Sequence, residues 1–280
     1  GPLSQFAGSI PPNLVLMSNS YALPAFLGEA FSTPEMVSSL ENLLALARDM
    51  QTSRRAIADY VKEMEELGYP VPYVVSNITA FDVVSDVLRG LRGSMLDMYR
   101  VPHKLLATVN MFIPWTVDQT VSVAKQAGSK GVFLALHRGA AGFMSDEQFD
   151  KFYWPGLKAM ILGLLGAGIT PIPFFEGDYT PRLKYLQELP PREIVGHFDK
   201  VDRRKAKEMI GDVMCFWGNV PASLLCCGTP QQVRHDVREL IEIFGDTGGL
   251  IVDGALGIPD EARPENVWAM REAVEEYCGG

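Results

Sequence analysis

The chain has 280 residues, of which 47% are hydrophobic and 21% are charged. This is the composition of a globular protein that can bury one large core, and it excludes a disordered chain. The 25 basic and 34 acidic residues give a net charge of −9, and the basic residues are scattered apart from a group at residues 203–207. A groove for nucleic acid is therefore not expected. No apolar run approaches the roughly 20 residues that cross a bilayer, and the first residues lack the basic-then-apolar pattern of a secretion signal.

The cysteines indicate a reducing compartment. There are four, Cys215, Cys226, Cys227 and Cys278, with one adjacent pair and no CxxC spacing. Such a set is a poor disulfide framework. We therefore expect a cytoplasmic protein.

Short apolar segments alternate with helix-like segments over most of the chain. That alternation is typical of a parallel sheet whose strands are connected by helices. The predicted strands are residues 71–76, 132–136, 170–175, 194–198, 213–217 and 250–253. The predicted helices are residues 34–67, interpreted as two helices, and residues 116–127, 147–165, 203–210, 229–244 and 264–277.

The predicted fold class is α/β, specifically a (β/α)8 TIM barrel. Six strands are found where that barrel needs eight. We therefore expect an open barrel that lacks its first one or two strands in this chain, with the missing strands before Gly1 or, for an edge piece, at residues 13–17. Residues 1–70 are expected to form an N-terminal loop and helical segment, and residues 71–280 the barrel, within a single domain overall.

The phase of the predicted strands selects candidate site residues. Alternate strand residues point into a barrel, and active sites lie at the C-terminal ends of the strands. Extending the inward phase to those ends selects His137 with Arg138, Glu176, His197 with Asp199, Cys215 with Trp217 and Asn219, and Asp253. Each also has a plainer interpretation, since lone histidines and acids are often solvated or hydrogen-bonded structural residues and an apolar-strand cysteine is more often core than ligand.

Several compact catalytic motifs are missing from the sequence. There is no GxGxxG after a strand, no GxxxxGK[ST], no GxSxG and no HExxH. Nucleotide-binding and simple serine-hydrolase functions therefore lose support. Barrels often carry their chemistry on dispersed strand ends, which leaves the rim residues as the candidates.

Four stretches carry a family pattern. They are residues 143–149 (FMSDEQF) with 152–155 (FYWP), 175–179 (FEGDY), 217–221 (WGNVP) with 228–230 (GTP), and 248–251 (GGLI) with 264–267 (PENV). In order and spacing they resemble the uroporphyrinogen decarboxylase superfamily, which contains the haem-pathway decarboxylases and the corrinoid-dependent methyltransferases. The resemblance covers residues 73–277.

The chain departs from the two main branches of that superfamily. The decarboxylases carry a histidine in the segment after the last strand, where residues 254–257 of this chain are GALG. The methanol- and methylamine-type methyltransferases bind zinc through a His-x-Cys pair and a later cysteine, and those positions are Phe174, Glu176 and Leu256 here. The resemblance therefore implies the O-demethylase-like methyltransferases, which move a methyl group from a methoxylated aromatic or other small donor to a corrinoid protein.

That resemblance also implies a zinc site built from carboxylate and imidazole ligands. We expect Zn2+ to be bound by Glu176 and His197, with Cys215 or Asp199 as the third ligand, and to act as a Lewis acid on the ether oxygen. The other ring nitrogen of His197 should meet Asp253 or a backbone carbonyl. The expected catalytic residues are His137, Arg138 and Asp253, and the expected pocket residues are Tyr179, Trp217 and Asn219, with Phe175 and Trp115 as further aromatic walls.

The expected partners are a corrinoid protein and a small-molecule methyl donor, without nucleic acid or membrane, and the sequence leaves a homodimer open. One alternative is a metal-independent decarboxylase or lyase acting on a small or tetrapyrrole acid, with Arg138 holding the carboxylate and His197 as the acid. Another is a binding relative that has lost its chemistry.

Overall fold

The computed structural model describes residues 31–245 and 249–278. Contacts between residues divide the chain into two compact units, Gly1–Val71 and Pro72–Gly280. The edge piece predicted at residues 13–17 lies outside the described residues. Within the described ranges, no helix combines the length and the apolar character that crossing a membrane requires.

The first unit contains helix α1, Pro34–Glu66. The Thr33 hydroxyl caps its N-terminus by accepting a hydrogen bond from Met36 N, and Pro34 occupies the first turn, where its missing N–H leaves no bond unmade. The prediction of two helices here is wrong. Residues 35–66 contain neither glycine nor proline, so nothing in the backbone interrupts the helix before Gly68, which adopts φ +85°.

The second unit is built on a parallel sheet. Its strands are β1 (Val75–Ile78), β2 (Gly131–Ala135), β3 (Thr170–Asp178), β4 (Ile194–Lys200), β5 (Met214–Trp217) and β6 (Leu250–Ile251), and they pair in chain order. The prediction of six strands in an open barrel is confirmed for the described residues, where β1 and β6 are the two edges. β1 begins later than predicted because Pro72 has no N–H, and Val74 N donates instead to Ser129 Oγ at 3.1 Å.

Helices connect the strands. They are α2 (Ala80–Asp82), α3 (Leu91–Arg100), α4 (Pro102–Ala127), α5 (Asp146–Gln148), α6 (Trp154–Gly166), α7 (Leu183–Leu186), α8 (Arg203–Ile210), α9 (Ala222–Cys227), α10 (Pro230–Phe244) and α11 (Pro264–Cys278). Two π-helical segments, Val83–Leu88 and Phe149–Tyr153, follow α2 and α5. Helix α4 runs through Pro114 instead of starting after it, because Leu105 and Ala124 on either side of the proline are both buried, and their packing outweighs the roughly 3 kcal/mol that a helical proline costs.

One face of the sheet is covered by helices. Phe175 on β3 stacks on Phe198 on β4, Phe198 on Phe216 on β5, and Phe216 on Phe244 of α10, with ring centroids 4.2–4.9 Å apart. All four side chains are buried. Burying such large rings is the main apolar contribution to this layer.

The opposite face is concave. Five rings follow one another across it, at centroid distances of 4.7–5.7 Å, in the order Tyr73, Phe133, Phe174, His197, Trp217. Tyr73 then approaches Trp217 to 6.5 Å, although β1 and β5 would lie about 19 Å apart in a flat sheet. The sheet is therefore curled into part of a barrel, and the inward phase predicted for Phe133, Phe174, His197 and Trp217 is confirmed. We call these five residues the aromatic row.

Candidate active site

Two groups of polar side chains lie where the parallel strands end. The first, the β1–β2 cluster, consists of Thr79, Asp82, Asp86, His137, Arg138 and Tyr153. The second, the His197 group, consists of His197, Trp217 and Asp253. Both lie at the barrel end where enzymes of this architecture carry their chemistry.

Asp86 joins the ends of β1 and β2. Its Oδ2 lies 2.6 Å from His137 Nδ1, and its Oδ1 accepts a hydrogen bond from an Arg138 terminal nitrogen at 2.8 Å. Partial burial raises the pKa of Asp86, but hydrogen bonds from His137 and Ser85 and the Arg138 charge outweigh that effect and leave the pKa lowered. Because a carboxylate only accepts hydrogen bonds, Nδ1 of His137 carries the proton.

A second carboxyl, Asp82, is buried behind this pair. Its Oδ2 accepts hydrogen bonds from the Tyr153 hydroxyl at 2.6 Å and the Thr79 hydroxyl at 2.8 Å. Its Oδ1 is buried and has no hydrogen-bond partner among the described residues. Burial raises the pKa of Asp82 to about 6, against the lowering effect of its two hydroxyl donors. This carboxyl therefore holds a proton at a pH where an exposed aspartate does not.

Both π-helical segments carry residues of the cluster. Asp86 lies within Val83–Leu88, and Tyr153 ends Phe149–Tyr153. Such wide turns occur mostly as short insertions in helices, frequently at functional sites. The hydrogen bond from Tyr153 to Asp82 connects the second segment to the residue just before the first, so Tyr153 helps to fix where the segment that carries Asp86 begins.

A buried arginine anchors the loop that follows His137 and Arg138. Arg182 is 1% exposed. Its guanidinium donates to the carbonyl oxygens of Gly139 at 3.4 Å and Met144 at 2.5 Å, pairs with Asp146, and lies 4.4 Å from the centre of the Phe149 ring. A charge this deeply buried is tolerated because its donors have acceptors, and the loop is held at several points as a result.

The His197 group forms the far end of the aromatic row. The His197 ring stacks on Trp217 at 4.8 Å with an interplanar angle of 12°, and Trp217 Nε1 donates to Asp253 Oδ2 at 2.9 Å. His197 Nε2 faces the Gly254 carbonyl oxygen at 3.3 Å, which confirms the expected backbone acceptor. Nδ1 is buried without a hydrogen-bond partner among the described residues. Burial lowers the pKa of His197 against the carbonyl and the nearby acids, so this imidazole is held neutral with Nδ1 as a free acceptor.

The predicted zinc ligands do not come together. His197 pairs in register with Phe174 and with Trp217. Glu176 lies two residues beyond Phe174 and Cys215 two residues before Trp217, so the two side chains are separated by about 13 Å along the strands. Cys215 lines a cavity of about 360 Å³ near the N-terminal ends of the strands, and its expected position at the same end as Glu176 and His197 is wrong.

The acid proposed in place of Cys215 lies nearer to Glu176. Asp199 Oδ2 accepts a hydrogen bond from Gly177 N at 2.9 Å, at the irregular pairing between Phe175 and Asp178, whereas the Glu176 side chain is exposed. Over residues 31–245 and 249–278, no three histidine, cysteine or acidic side chains form a group that could hold a metal ion. The ligand set predicted for zinc therefore does not fit this arrangement.

A family model described as uroporphyrinogen decarboxylase (URO-D) matches residues 16–277. The chain belongs to the uroporphyrinogen decarboxylase family. A uroporphyrinogen decarboxylase of Chlorobium luteolum is 24% identical over 186 residues, which cover 64% of this chain and 51% of that protein. One of Pseudomonas aeruginosa is 23% identical over 281 residues, which cover 94% of this chain and 78% of that protein. This URO-D chain thus spans about half of the Chlorobium relative.

Among solved structures, a methyltransferase from Methanosarcina mazei is similar with a TM-score of 0.62 and 20% sequence identity. The match covers 77% of this chain and 61% of the methyltransferase. At that identity it supports the α/β barrel fold of the URO-D chain and leaves its activity open.

The predicted pocket residues of the URO-D chain separate into two kinds. Trp217 belongs to the aromatic row. Asn219 lines a cleft of about 640 Å³ beyond β4 and β5, but its Oδ1 accepts from Arg203 Nε at 2.8 Å and its Nδ2 donates to the Asp199 carbonyl at 3.2 Å. Its polar atoms are thereby occupied within the protein. Asn219 therefore connects the ends of β4 and β5.

Three other aromatic residues were wrongly expected to wall the pocket. Tyr179 and Phe175 are fully buried and pack on each other at 4.8 Å, on the side of the sheet away from the aromatic row. Trp115 lies half-exposed on α4 with its edge to Phe112. Strand alternation accounts for Phe175 and Tyr179, because they are four positions apart and fall on the face opposite Phe174.

Of the three predicted catalytic residues, the structure brings His137 and Arg138 together and places Asp253 with His197. Sequence reasoning missed Asp82, Asp86 and Tyr153. A signal was present for the first two, since both aspartates lie within eight residues after the end of β1 and are four residues apart. Nothing local to Tyr153 marks it, because its role depends on contact with Asp82, which is 71 residues away.

Proposed function

We propose that this chain is part of a methyltransferase that moves a methyl group from a small donor, with methoxylated aromatics as the favoured class, to a corrinoid protein. The aromatic row is the observation that carries this proposal. Its rings follow one another across the concave side of the sheet and form an apolar surface there. The row includes the neutral His197, whose Nδ1 has no hydrogen-bond partner among the described residues. Aromatic rings bind other aromatic rings by offset or edge contacts, so a planar donor suits this surface.

The aromatic row and the β1–β2 cluster have complementary roles in such a reaction. The row binds the ring of the donor and excludes water from it, while His137 and Arg138 provide hydrogen-bond donors at the rim. Breaking a methyl–oxygen bond leaves negative charge on oxygen, and fixed donors that face that oxygen stabilise the transition state. Because the predicted zinc ligands do not meet, no step is assigned to zinc.

The similar proteins support a second candidate. The Chlorobium and Pseudomonas relatives are named uroporphyrinogen decarboxylases, and Arg138 is suited to holding a carboxylate of a tetrapyrrole or smaller acid. Against this, residues 254–257 (GALG) stand where the superfamily resemblance implies a decarboxylase histidine. Methyl transfer is therefore the function we favour.

The test offers both reactions to the full-length protein that contains this chain. Free cob(I)alamin serves as the methyl acceptor with a methoxybenzoate donor, and loss of the cob(I)alamin absorbance is followed. In parallel, uroporphyrinogen is supplied and its products are separated by chromatography. We expect methyl transfer and no decarboxylation, and the reverse result would refute the proposal.

A pair of tryptophan variants tests the role of the aromatic row. Trp217→Leu removes one stacking surface and should raise KM for the aromatic donor about fivefold, which corresponds to roughly 1 kcal/mol of ring contact. Trp268→Leu is the matched control, because Trp268 lies 56% exposed on α11. An equal effect of the two substitutions would contradict the assignment of the row to donor binding.

A further inference from the structure

The β1–β2 cluster contains a histidine in the arrangement of a proton donor. His137 Nδ1 lies 2.6 Å from Asp86, and no described residue is hydrogen-bonded to Nε2. The side chain is 37% exposed, so Nε2 is accessible at the C-terminal end of the sheet. A carboxylate that fixes one ring nitrogen and leaves the other open is the geometry by which enzymes orient catalytic histidines.

Asp86 is itself held in place from two sides. Arg138 donates to the carboxylate oxygen that His137 does not use, and Ser85 Oγ donates to the same oxygen at 2.9 Å. Behind it, Asp82 accepts from Tyr153 and Thr79 and fixes the start of the π-helical segment that carries Asp86. The charged groups of the cluster that face His137 are thus Asp86, Arg138 and, farther back, Asp82.

His197 is less suited to donate a proton. It is 6% exposed, its Nε2 faces the Gly254 carbonyl, and it stacks between Phe174 and Trp217. Its remaining nitrogen, Nδ1, is an acceptor in this tautomer. The earlier assignment of His197 as an acid thus conflicts with its surroundings.

We propose that His137 is the catalytic acid of this barrel and that Asp86 is the residue that positions it. The proposal deepens the proposed function and rests on it for the identity of the substrate. In methyl transfer the carbon–oxygen bond breaks with its electron pair left on oxygen, and the methyl carbon bonds through the electron pair of the acceptor. The oxygen takes the Nε2 proton of the His137 imidazolium. The ring becomes neutral, its Nδ1–H stays hydrogen-bonded to Asp86, and solvent returns a proton to Nε2.

The leaving group provides a test specific to an acid. His137→Gln keeps an N–H that can reach Asp86 but has no proton to transfer, and His103→Gln on α4 is the matched exposed control. With methoxybenzene, whose leaving phenoxide is basic, we expect His137→Gln to slow methyl transfer by about 10²- to 10⁴-fold. With nitro-substituted methoxybenzene, whose phenoxide needs no proton, the loss should stay under about tenfold. Equal losses with both donors, or no loss, would overturn the proposal.

A measurement without substrate separates this proposal from the proposed function. In nitrogen-15 NMR of the full-length protein, neutral His137 should appear as the Nδ1–H tautomer. In Asp86→Asn the amide oxygen must face Arg138, so the amide NH2 faces Nδ1 and the ring should switch to the Nε2–H tautomer. If wild type transfers no methyl group yet shows this switch, the substrate assignment fails and the acid assignment stands. An Nε2–H tautomer in the wild type overturns the acid assignment whatever the substrate.

Discussion

Removing the charge of Asp82 should change how the stability of this protein depends on pH. Burial raises the pKa of Asp82 from the ordinary 3.8 to about 6. A carboxyl whose pKa is raised in the folded state contributes stability that is fully present below about pH 3.8 and is lost as the pH rises through about 6. Ionising Asp82 in the folded protein therefore lowers the unfolding free energy by at most about 3 kcal/mol, because the pKa differs by roughly 2.2 units between the two states and each unit corresponds to about 1.36 kcal/mol.

Asp82→Asn isolates this effect, because an amide can still accept from Tyr153 and Thr79 but does not ionise. The difference in unfolding free energy between variant and wild type should shift by roughly 2 kcal/mol in favour of the variant between about pH 4.5 and pH 8. Urea unfolding followed by circular dichroism at several pH values in that range measures it. Asp150→Asn, at an exposed position, is the control. A difference that stays flat with pH, or that moves against the variant, would refute the reasoning.

Three further outcomes follow from the packing. Cys215→Ala should leave the metal content, measured by mass spectrometry, and the rate of methyl transfer as in wild type, whereas His197→Ala should lower that rate. A loss of metal in Cys215→Ala alone would contradict the position that the strand register gives to Cys215. Arg182→Met should lower the unfolding free energy by about 3–5 kcal/mol, because it leaves the partner acid of the pair and several loop carbonyls without their donor, and a melting temperature within about 2 °C of wild type would contradict this. Phe198→Ala should lower the unfolding free energy by about 3–5 kcal/mol, because its ring lies in a buried stack. Phe174→Ala should lower it less, since its ring is half-buried. Urea unfolding of the two variants measures this, and a larger loss for Phe174→Ala would contradict it.

The π-helical segments show what local sequence patterns miss. Both Val83–Leu88 and Phe149–Tyr153 replace a regular helical turn, and nothing in their composition distinguishes them from α-helix. They lie next to the hydrogen bond by which Tyr153 meets Asp82 across 71 residues of sequence. The cluster around Asp86 could therefore not be derived from local periodicity, although the two aspartates after β1 were visible.

The predicted zinc ligands stay apart for a geometric reason that strand phase does not contain. Alternation says which face a residue is on, and for His197, Cys215 and Trp217 it gave the right face. It does not say at what depth neighbouring strands align. The pairing of His197 with Trp217 sets that depth and leaves Cys215 one inward position below the histidine.

The sequence by itself determined the parallel sheet and which residues of β2 to β5 face inward, because these follow from the periodicity and spacing of apolar residues along the chain. Its four motif stretches carried the family resemblance. Only the tertiary structure decided which polar side chains meet. Asp86 reaches His137 across 51 residues of sequence, and Arg182 holds the loop that follows His137 by contacts to Gly139, Met144 and Asp146. Such contacts depend on strand register and helix packing, which are set by the whole core and have no signature in any single segment.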